Sequence, residues 1–419
     1  MRRINGLGLV FMIGIILLIE YYAFTAFKFA IKNVRPSYKN LAIGLYVFSS
    51  ILWFLMFFAF DYIRTADANK SVRSFVIIYF MGLLISKVLI ASILLIDDLR
   101  RFVYLIMSSF YSKQTTPLAI QDGMTRSAFL TKFAILFGGS VFATMLYGMT
   151  NRYNYNLKKI KIAFANLPSA FKGLKIIQIS DIHSGSFNDL KAVEKGVELI
   201  MAQNPDLILF TGDLVNNKSD EMNDYIDVFS KLSAPLGVYS IFGNHDYGDY
   251  ISIQDWGGED AKKQNLTNLK EIHAKMGWRL LLDEHIAIEK DGEHIGLIGV
   301  ENISASRGFH SYGNLQNAYT GAEKYPFKIL MSHDPSHWDH ETTQAFKDID
   351  LTLSGHTHGM QFGVEIPWLK WSPVQYVYKR WAGLYKKDEQ YLYVNRGYGF
   401  LGYPGRVGIL PEITLIELT

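Results

Sequence analysis

Eight polar side chains stand out, because each closely follows an apolar run and because their types bind cations or move protons. In chain order they are Asp181 and His183, Asp213, Asn244 and His245, His333, and His356 and His358. The last pair lies in Gly355-His356-Thr357-His358-Gly359, reached from the apolar run 349–353. In an extended segment alternate side chains share a face, so these two imidazoles can aim at one place. Imidazole suits transition-metal ions, and the flanking glycines let the backbone approach closely. For that pair alone, a polar turn with two solvated histidines is the competing reading. Recurrence at five strand ends weighs against it. Carboxylate, imidazole and one amide oxygen are together a ligand set for Mn²⁺, Fe or Zn²⁺ rather than a calcium cage.

The elements that must position these groups can be read from periodicity. Runs 174–180, 206–211 and 237–242 are expected as buried strands, and 189–203, 221–232 and 261–276 as helices. Further strands are expected at 279–282, 285–289, 294–300, 327–331, 349–353, 390–394 and 412–418. Strands alternating with helices at a spacing of roughly 30 residues indicate βαβ units. In open α/β sheets, the loops at the carboxyl ends of the strands line the ligand site. Residues spread across the chain from 181 to 358 can therefore converge.

The pattern Asp-x-His (181, 183), Gly-Asp (212, 213), Gly-Asn-His-Asp (243–246), His333 and Gly-His-x-His (355–358) resembles the calcineurin-like metallophosphoesterase superfamily, in the family's order. The likeness runs from about 174 to the end and is greatest to bacterial membrane-associated members, a neighbourhood that includes UDP-2,3-diacylglucosamine pyrophosphatases. The run Asn395-Arg396-Gly397-Tyr398-Gly399, with Arg406 and 411–414, belongs to it as well. The resemblance implies an α/β/β/α sandwich and two divalent metal ions, Mn²⁺ foremost, with Fe or Zn²⁺ as alternatives. Asp181, His183 and His358 would hold one ion, Asn244, His333 and His356 the other, and Asp213 would bridge them. His245 would protonate the leaving oxygen or stabilise developing charge. Many relatives carry Asp three residues after the bridging Asp, to support that histidine; here the position is Asn216. An amide orients an imidazole but does not offset its charge, and Asp246 is the candidate substitute. Arg396 and Arg406 are candidates for binding substrate phosphate bidentately, with a structural ion pair as the alternative for either. His273, His285 and His294 are read as structural, and His337 and His340 as the start of a helix, with support of the metal ligands as the alternative.

Composition sets the surroundings. The net charge of +3 carries no nucleic-acid footprint, and the absence of cysteine excludes disulfides and thiolate metal sites. Residues 1–150 read as a membrane domain and 151–419 as the catalytic domain. Runs 7–29, 41–60, 75–96 and 129–149 are each about long enough to cross a ~30 Å hydrocarbon core as helix. Glu20 and Lys87 fall inside such runs, where ionisable groups are either functional or paired between helices. Lysines and arginines flanking the runs number nine on the side of the amino end and the catalytic domain, against eight on the other, so charge does not set the orientation. The segment 125–132 resembles a twin-arginine export signal with one arginine lost. That likeness keeps Arg126 cytoplasmic and puts the catalytic domain outside a bacterial inner membrane.

Hydrolysis of a phosphate ester or pyrophosphate by a membrane-anchored enzyme is the leading expectation. A non-catalytic membrane sensor of a phosphorylated ligand is the alternative; it calls for missing ligands, and none is missing. A lipid-linked substrate is expected because Trp368, Trp371, Tyr376, Tyr378, Trp381 and Tyr385 follow His358 closely. Trp, Tyr and Lys together are the mixture enriched where a bilayer meets water.

Overall fold

Four apolar stretches satisfy their own backbone hydrogen bonds as helices: α1 (Gly6–Ala30), α2 (Pro36–Thr65), α3 (Lys70–Phe110) and α4 (Pro117–Gly148). Segments long and apolar enough to cross a membrane are Val10–Ala30, Pro36–Met56 and Val72–Val103 within α1–α3, and Ala128–Asn151, which runs from α4 into the short turn after it. The computed structural model describes residues 6–65, 70–110, 117–306 and 308–419. It divides into two compact units, Met1–Tyr147 and Gly148–Thr419. The export-like segment 125–132 falls on α4, and the side chains of 125–127, Arg126 among them, lie outside the described residues.

Glu20 and Lys87 meet each other. Lys87 Nζ lies 2.7 Å from Glu20 Oε2, and Ser50 Oγ donates to Glu20 Oε1 at 2.6 Å. The Lys87 ammonium also stands 5.0 Å from the centre of the Trp53 ring. One ion pair thus ties α1, α2 and α3 together, and removing either partner would strand a buried charge. Pairing, the structural alternative for these two residues, is what the geometry gives.

The second unit is built on two six-stranded sheets. Strands β1 (Asn156–Ile162), β2 (Lys175–Ile179), β3 (Leu207–Phe210), β4 (Val238–Ser240), β5 (Arg279–Leu280) and β14 (Glu412–Leu418) form one, in the order β1-β14-β2-β3-β4-β5. Strands β6 (Glu284–Lys290), β7 (Glu293–Gly299), β8 (Lys328–Met331), β9 (Leu351–Ser354), β12 (Gly383–Lys387) and β13 (Gln390–Val394) form the other, in the order β12-β13-β9-β8-β7-β6. A separate two-stranded hairpin joins β10 (Val364–Ile366) to β11 (Leu369–Trp371).

Alternation along each strand makes the layers. Ile176, Leu207 and Leu209 face Leu297, Ile329, Leu351 and Leu353 of the second sheet. Their neighbours Ile177, Ile179, Ile208 and Phe210 face the other way. There they meet helices α5 (Leu190–Met201) and α8 (Glu259–Lys275), with the short α6 (Ile226–Phe229) and α7 (Ile253–Trp256) nearby in sequence. The short α9 (Leu315–Tyr319) covers the far face of the second sheet, and α10 (Thr343–Ala345) leads into β9. Four apolar helices followed by this two-sheet sandwich are the architecture expected from the sequence.

Two local expectations fail for physical reasons. The helix expected at 221–232 shrinks to α6, because the Glu221 carboxylate accepts the N–H groups of Asn216, Asn217 and Lys218 and ties that stretch into a loop. β1 was hidden by Lys158, Lys159 and Lys161, which read as juxtamembrane charge. It is an edge strand paired in parallel with β14, and lysine on an edge discourages pairing with another chain.

Candidate metal centre

Every expected ligand sits just past the carboxyl end of a strand. Asp181 and His183 follow β2, Asp213 follows β3, and Asn244 follows β4. From the second sheet, His333 follows β8, and His356 and His358 follow β9. Five of these residues, Asp181, His183, Asp213, His356 and His358, have φ between 50° and 72°, in the left-handed region. Each such residue costs about 1–3 kcal/mol, and such strain persists where a site requires it. Two motif glycines explain how the loops come so close. A Cβ on Gly355 would lie 1.9 Å from Ser180 Oγ, and one on Gly243 would lie 2.3 Å from Asp213 Oδ1.

The ligand atoms form two groups, Asp181 with His183 and His358, and Asp213 with His333 and His356, each within 4.8 Å. His358 Nε2 stands 3.3 Å from Asp181 Oδ1. His356 Nδ1 lies 2.8 Å from Asn244 Oδ1 and 3.3 Å from His333 Nε2, which brings Asn244 into the second group. Asp213 Oδ2 stands between the groups, 3.5 Å from His183 Nε2 and 3.2 Å from His333 Nε2. His183 Nε2 and His358 Nε2 are buried without a hydrogen-bond partner among the described residues. Buried polar atoms are normally paired, so orphaned nitrogens aimed at carboxylates fit cations between them.

The outer contacts fix which ring nitrogen faces inward. His333 Nδ1 is 2.7 Å from the Thr211 carbonyl, leaving Nε2 for the centre. His356 is the reverse, with Nε2 2.8 Å from the Tyr378 hydroxyl. Tyr378 in turn donates to Asp334 Oδ2 at 3.4 Å. Such outer partners orient a ligating histidine and fix its tautomer.

Charge in the centre is poised for cations. Burial lowers His183 to about 3 and holds His358 well below the usual range, so both rings are neutral and able to ligate. Burial lifts Asp181 to about 6. For Asp213 burial pushes upward, but His333 and His245 beside it prevail and hold its carboxyl well below the usual range. Burial would depress His333, yet Asp213 lifts it to about 10. The proton on His333 thus balances Asp213, and metal binding at such a site releases protons.

His245 Nδ1 is 2.7 Å from the backbone carbonyl of Asn216. The Asn216 side chain points elsewhere and donates to Ser186 Oγ at 3.1 Å. Asp246 is no substitute for a carboxylate on His245. Its oxygens accept the N–H groups of Asp213, Leu214 and Gly243 at 2.8–2.9 Å, which makes it the brace of the bridging loop. Burial, with Asp213 nearby, lifts Asp246 to about 7.

The two arginines have partners within the fold, as the structural alternative for them requires. Buried Arg396 pairs with Glu412 and with Glu365. Fully buried Arg406 donates to the carbonyls of His358, Arg396, Gly397 and Gly399, clamping the last ligand loop. His273 bonds Ser240, His285 the Ala318 carbonyl, and His337 both Ser332 and Glu341. Two tyrosines at the site were not singled out for it from sequence. Tyr378 is one. Tyr250 is the other: its hydroxyl accepts from Asn244 Nδ2 at 2.7 Å, and its ring stacks 4.3 Å from that of His245.

Comparison with known proteins bears on both units. A family described as "Calcineurin-like phosphoesterase" matches residues 174–360, and "Probable Calcineurin-like phosphoesterase, transmembrane domain" matches residues 2–152. Metallophosphoesterase YkuE of Bacillus subtilis (strain 168) is 30% identical over 257 residues, covering 60% of this chain and 81% of that protein. Phosphodiesterase YaeI of Escherichia coli (strain K12) is 28% identical, covering 58% of this chain and 82% of its own length. UDP-2,3-diacylglucosamine pyrophosphatase LpxG of Chlamydia muridarum (strain MoPn / Nigg) is 25% identical, covering 59% and 86%.

Proposed function

The chain belongs to the calcineurin-like metallophosphoesterase family, and from that premise we propose that it is a membrane-anchored, two-metal hydrolase of a phosphate ester or pyrophosphate bond in a membrane-associated or lipid-linked substrate. The observation that carries the two-metal reading is the place of Asp213 Oδ2 between two ligand groups. Asp181, His183 and His358 would hold one ion, Asn244, His333 and His356 the other, and Asp213 would serve both. Such a pair of ions clamps phosphoryl oxygens and lowers the pKa of coordinated water toward neutrality. His245 delivers a proton to the leaving oxygen, held in place by the Asn216 carbonyl. Mn²⁺ is the favoured metal, with Fe or Zn²⁺ as alternatives for this oxygen and nitrogen set. A lipid-linked substrate is supported by the four spans and by the likeness to LpxG.

The test is a substrate panel on purified full-length protein, including a soluble phosphodiester and lipid-linked phosphates in mixed micelles. Chelation abolishes turnover, Mn²⁺ restores it, and elemental analysis finds two ions per active chain. Full turnover after exhaustive chelation, or restoration at one ion per chain, would overturn the assignment.

The four spans and the matched transmembrane family make the chain an integral membrane protein. We place it in a bacterial inner membrane with the catalytic unit outside the cytoplasm. Lys158, Lys159 and Lys161 lie on β1 of a folded unit, and folded domains cross membranes largely regardless of charge. Setting those three aside, the flanking charge on the catalytic side falls from nine to six against eight, which favours that side as the outer one. A periplasm-dependent phosphatase reporter fused after Thr419 is expected to be active, and a cytoplasmic readout would reverse the placement.

A further inference from the structure

The hairpin of β10 and β11 is inside out. Its cross-strand pairs are Val364 with Trp371, Glu365 with Lys370 and Ile366 with Leu369, so apolar and charged residues take opposite faces. On the charged face Glu365, half-buried, meets Arg396 and Lys158, and Lys370, though exposed, reaches back to the Ala382 carbonyl. The apolar face is left to the outside. Trp368 at the turn is 83% exposed, and Tyr376 and Val377 are 78% and 74% exposed. Trp371 Nε1 reaches the Tyr376 hydroxyl at 3.4 Å, which joins hairpin and tip into one patch. Of eleven large exposed hydrophobic residues described in Gly148–Thr419, seven fall between Met360 and Val377. A soluble surface scatters such residues, and a cluster of them marks a binding face.

What covers this face is indicated by where the hairpin is rooted. Gly363 donates to the Val407 carbonyl at 2.9 Å, and the neighbouring Arg406 N–H bonds the Gly148 carbonyl at 2.9 Å. Gly148 opens the catalytic unit and lies within the membrane span Ala128–Asn151. The hairpin is thus hydrogen-bonded, through 406 and 407, to the first residue of the catalytic unit, where the chain leaves α4. Exposed Lys379 borders it, and Trp, Tyr and Lys are the residues that hold proteins at the headgroup layer. The same segment grips the metal loop: Tyr378 holds His356, Thr357 bonds the Trp381 carbonyl, and Ser372 bonds the Gly359 carbonyl.

We infer that the β10–β11 hairpin, with Trp368 at its turn and Tyr376 and Val377 beside it, seats in the headgroup layer of the bilayer that α1–α4 cross, so that the metal centre receives its substrate from lipid. This deepens the proposed function and rests on it for the word substrate. The aromatic stretch seen in the sequence is thus divided: Tyr378 and Trp381 are core, while Trp368 and Tyr376 are outside.

The chain has no cysteine, so a single nitroxide can be placed at will. Trp368→Cys, labelled and reconstituted in phosphatidylcholine and phosphatidylglycerol vesicles, is expected to be reached by lipid-dissolved oxygen and shielded from a water-soluble nickel chelate. Leu190→Cys on α5 is expected to show the reverse. A label at 368 open to the chelate, or one broadened by a second label from another copy, overturns the inference. Tyr376→Cys supplies the same readout if the first variant does not fold. With Trp368→Ser and Tyr376→Ser combined, turnover of a lipid-linked phosphate is expected to fall at least about tenfold, as lost local concentration would dictate. Soluble diester turnover should stay within about twofold, and equal losses on both overturn the inference. Absence of turnover on every phosphoester, with position 368 still in lipid, would instead sink the hydrolase reading and leave this one standing.

Discussion

Replacing Asp213 by asparagine is expected to lower turnover by more than about 10³-fold, beyond the 10²–10³ typical for losing one oxyanion donor. The reason lies in how its two oxygens are held. Oδ1 accepts the His245 backbone N–H at 2.8 Å, and Oδ2 faces His183 and His333. In Asp213→Asn the amide oxygen must stay on the N–H, because the amide nitrogen has nothing to donate to there. The NH₂ group is then aimed between His183 and His333, where it removes one negative charge and adds a donor that would repel the cations proposed there. Metal content should fall below two per chain while the melting temperature, read in the presence of chelator, stays near that of the chelated parent. Wild-type turnover of Asp213→Asn at saturating Mn²⁺ would mean that the carboxylate bridges nothing.

The same residue shows how much of the site the sequence discloses. A strand such as 206–211 is buried on both faces, so a carboxylate at its exit is costly unless it is used. Repeated at β2, β4, β8 and β9, that cost points without coordinates to the seven residues that the fold gathers at one centre. It fails where meaning lies in the backbone. Asn216 contributes its carbonyl to His245, and a carbonyl is the same for any residue, so its amide drew attention that its side chain does not repay. It fails as well where a long side chain has several destinations. Arg396 and Arg406 have the chemistry to hold phosphate, and only the fold reveals that carboxylates and carbonyls already occupy them. Tyr378 lies twenty-two residues beyond the histidine it orients, in an aromatic run that carried a different signal. The hairpin was missed because strand patterning assumes that apolar residues face a protein core, and here that face is turned out.

His245→Ala separates proton delivery from metal binding. The imidazole is partly exposed, its Nδ1 is fixed on the Asn216 carbonyl, and its ring lies between Tyr250 and His183. When both nitrogens carry protons, Nδ1–H bonds that carbonyl and Nε2–H is left for an incoming oxygen. The carbonyl fixes the orientation of the ring, without the ion pair that an aspartate would supply. Truncation to alanine removes no ligand, so two ions per chain should remain, while kcat falls by roughly 10²–10⁴, the usual range for a positioned acid. The size of the fall should depend on the leaving group. An alkoxide needs the proton and should show the full effect, whereas a nitrophenolate leaves as an anion and should show far less. Asn216→Ala is the paired control, since it deletes the amide and keeps the carbonyl; it should change kcat by no more than about threefold, well short of the loss of an acid. Equal losses for both leaving groups in His245→Ala, or metal lost in step with activity, would make His245 a ligand or a packing residue. A collapse of kcat in Asn216→Ala with His245 intact would instead return the orienting role to the amide.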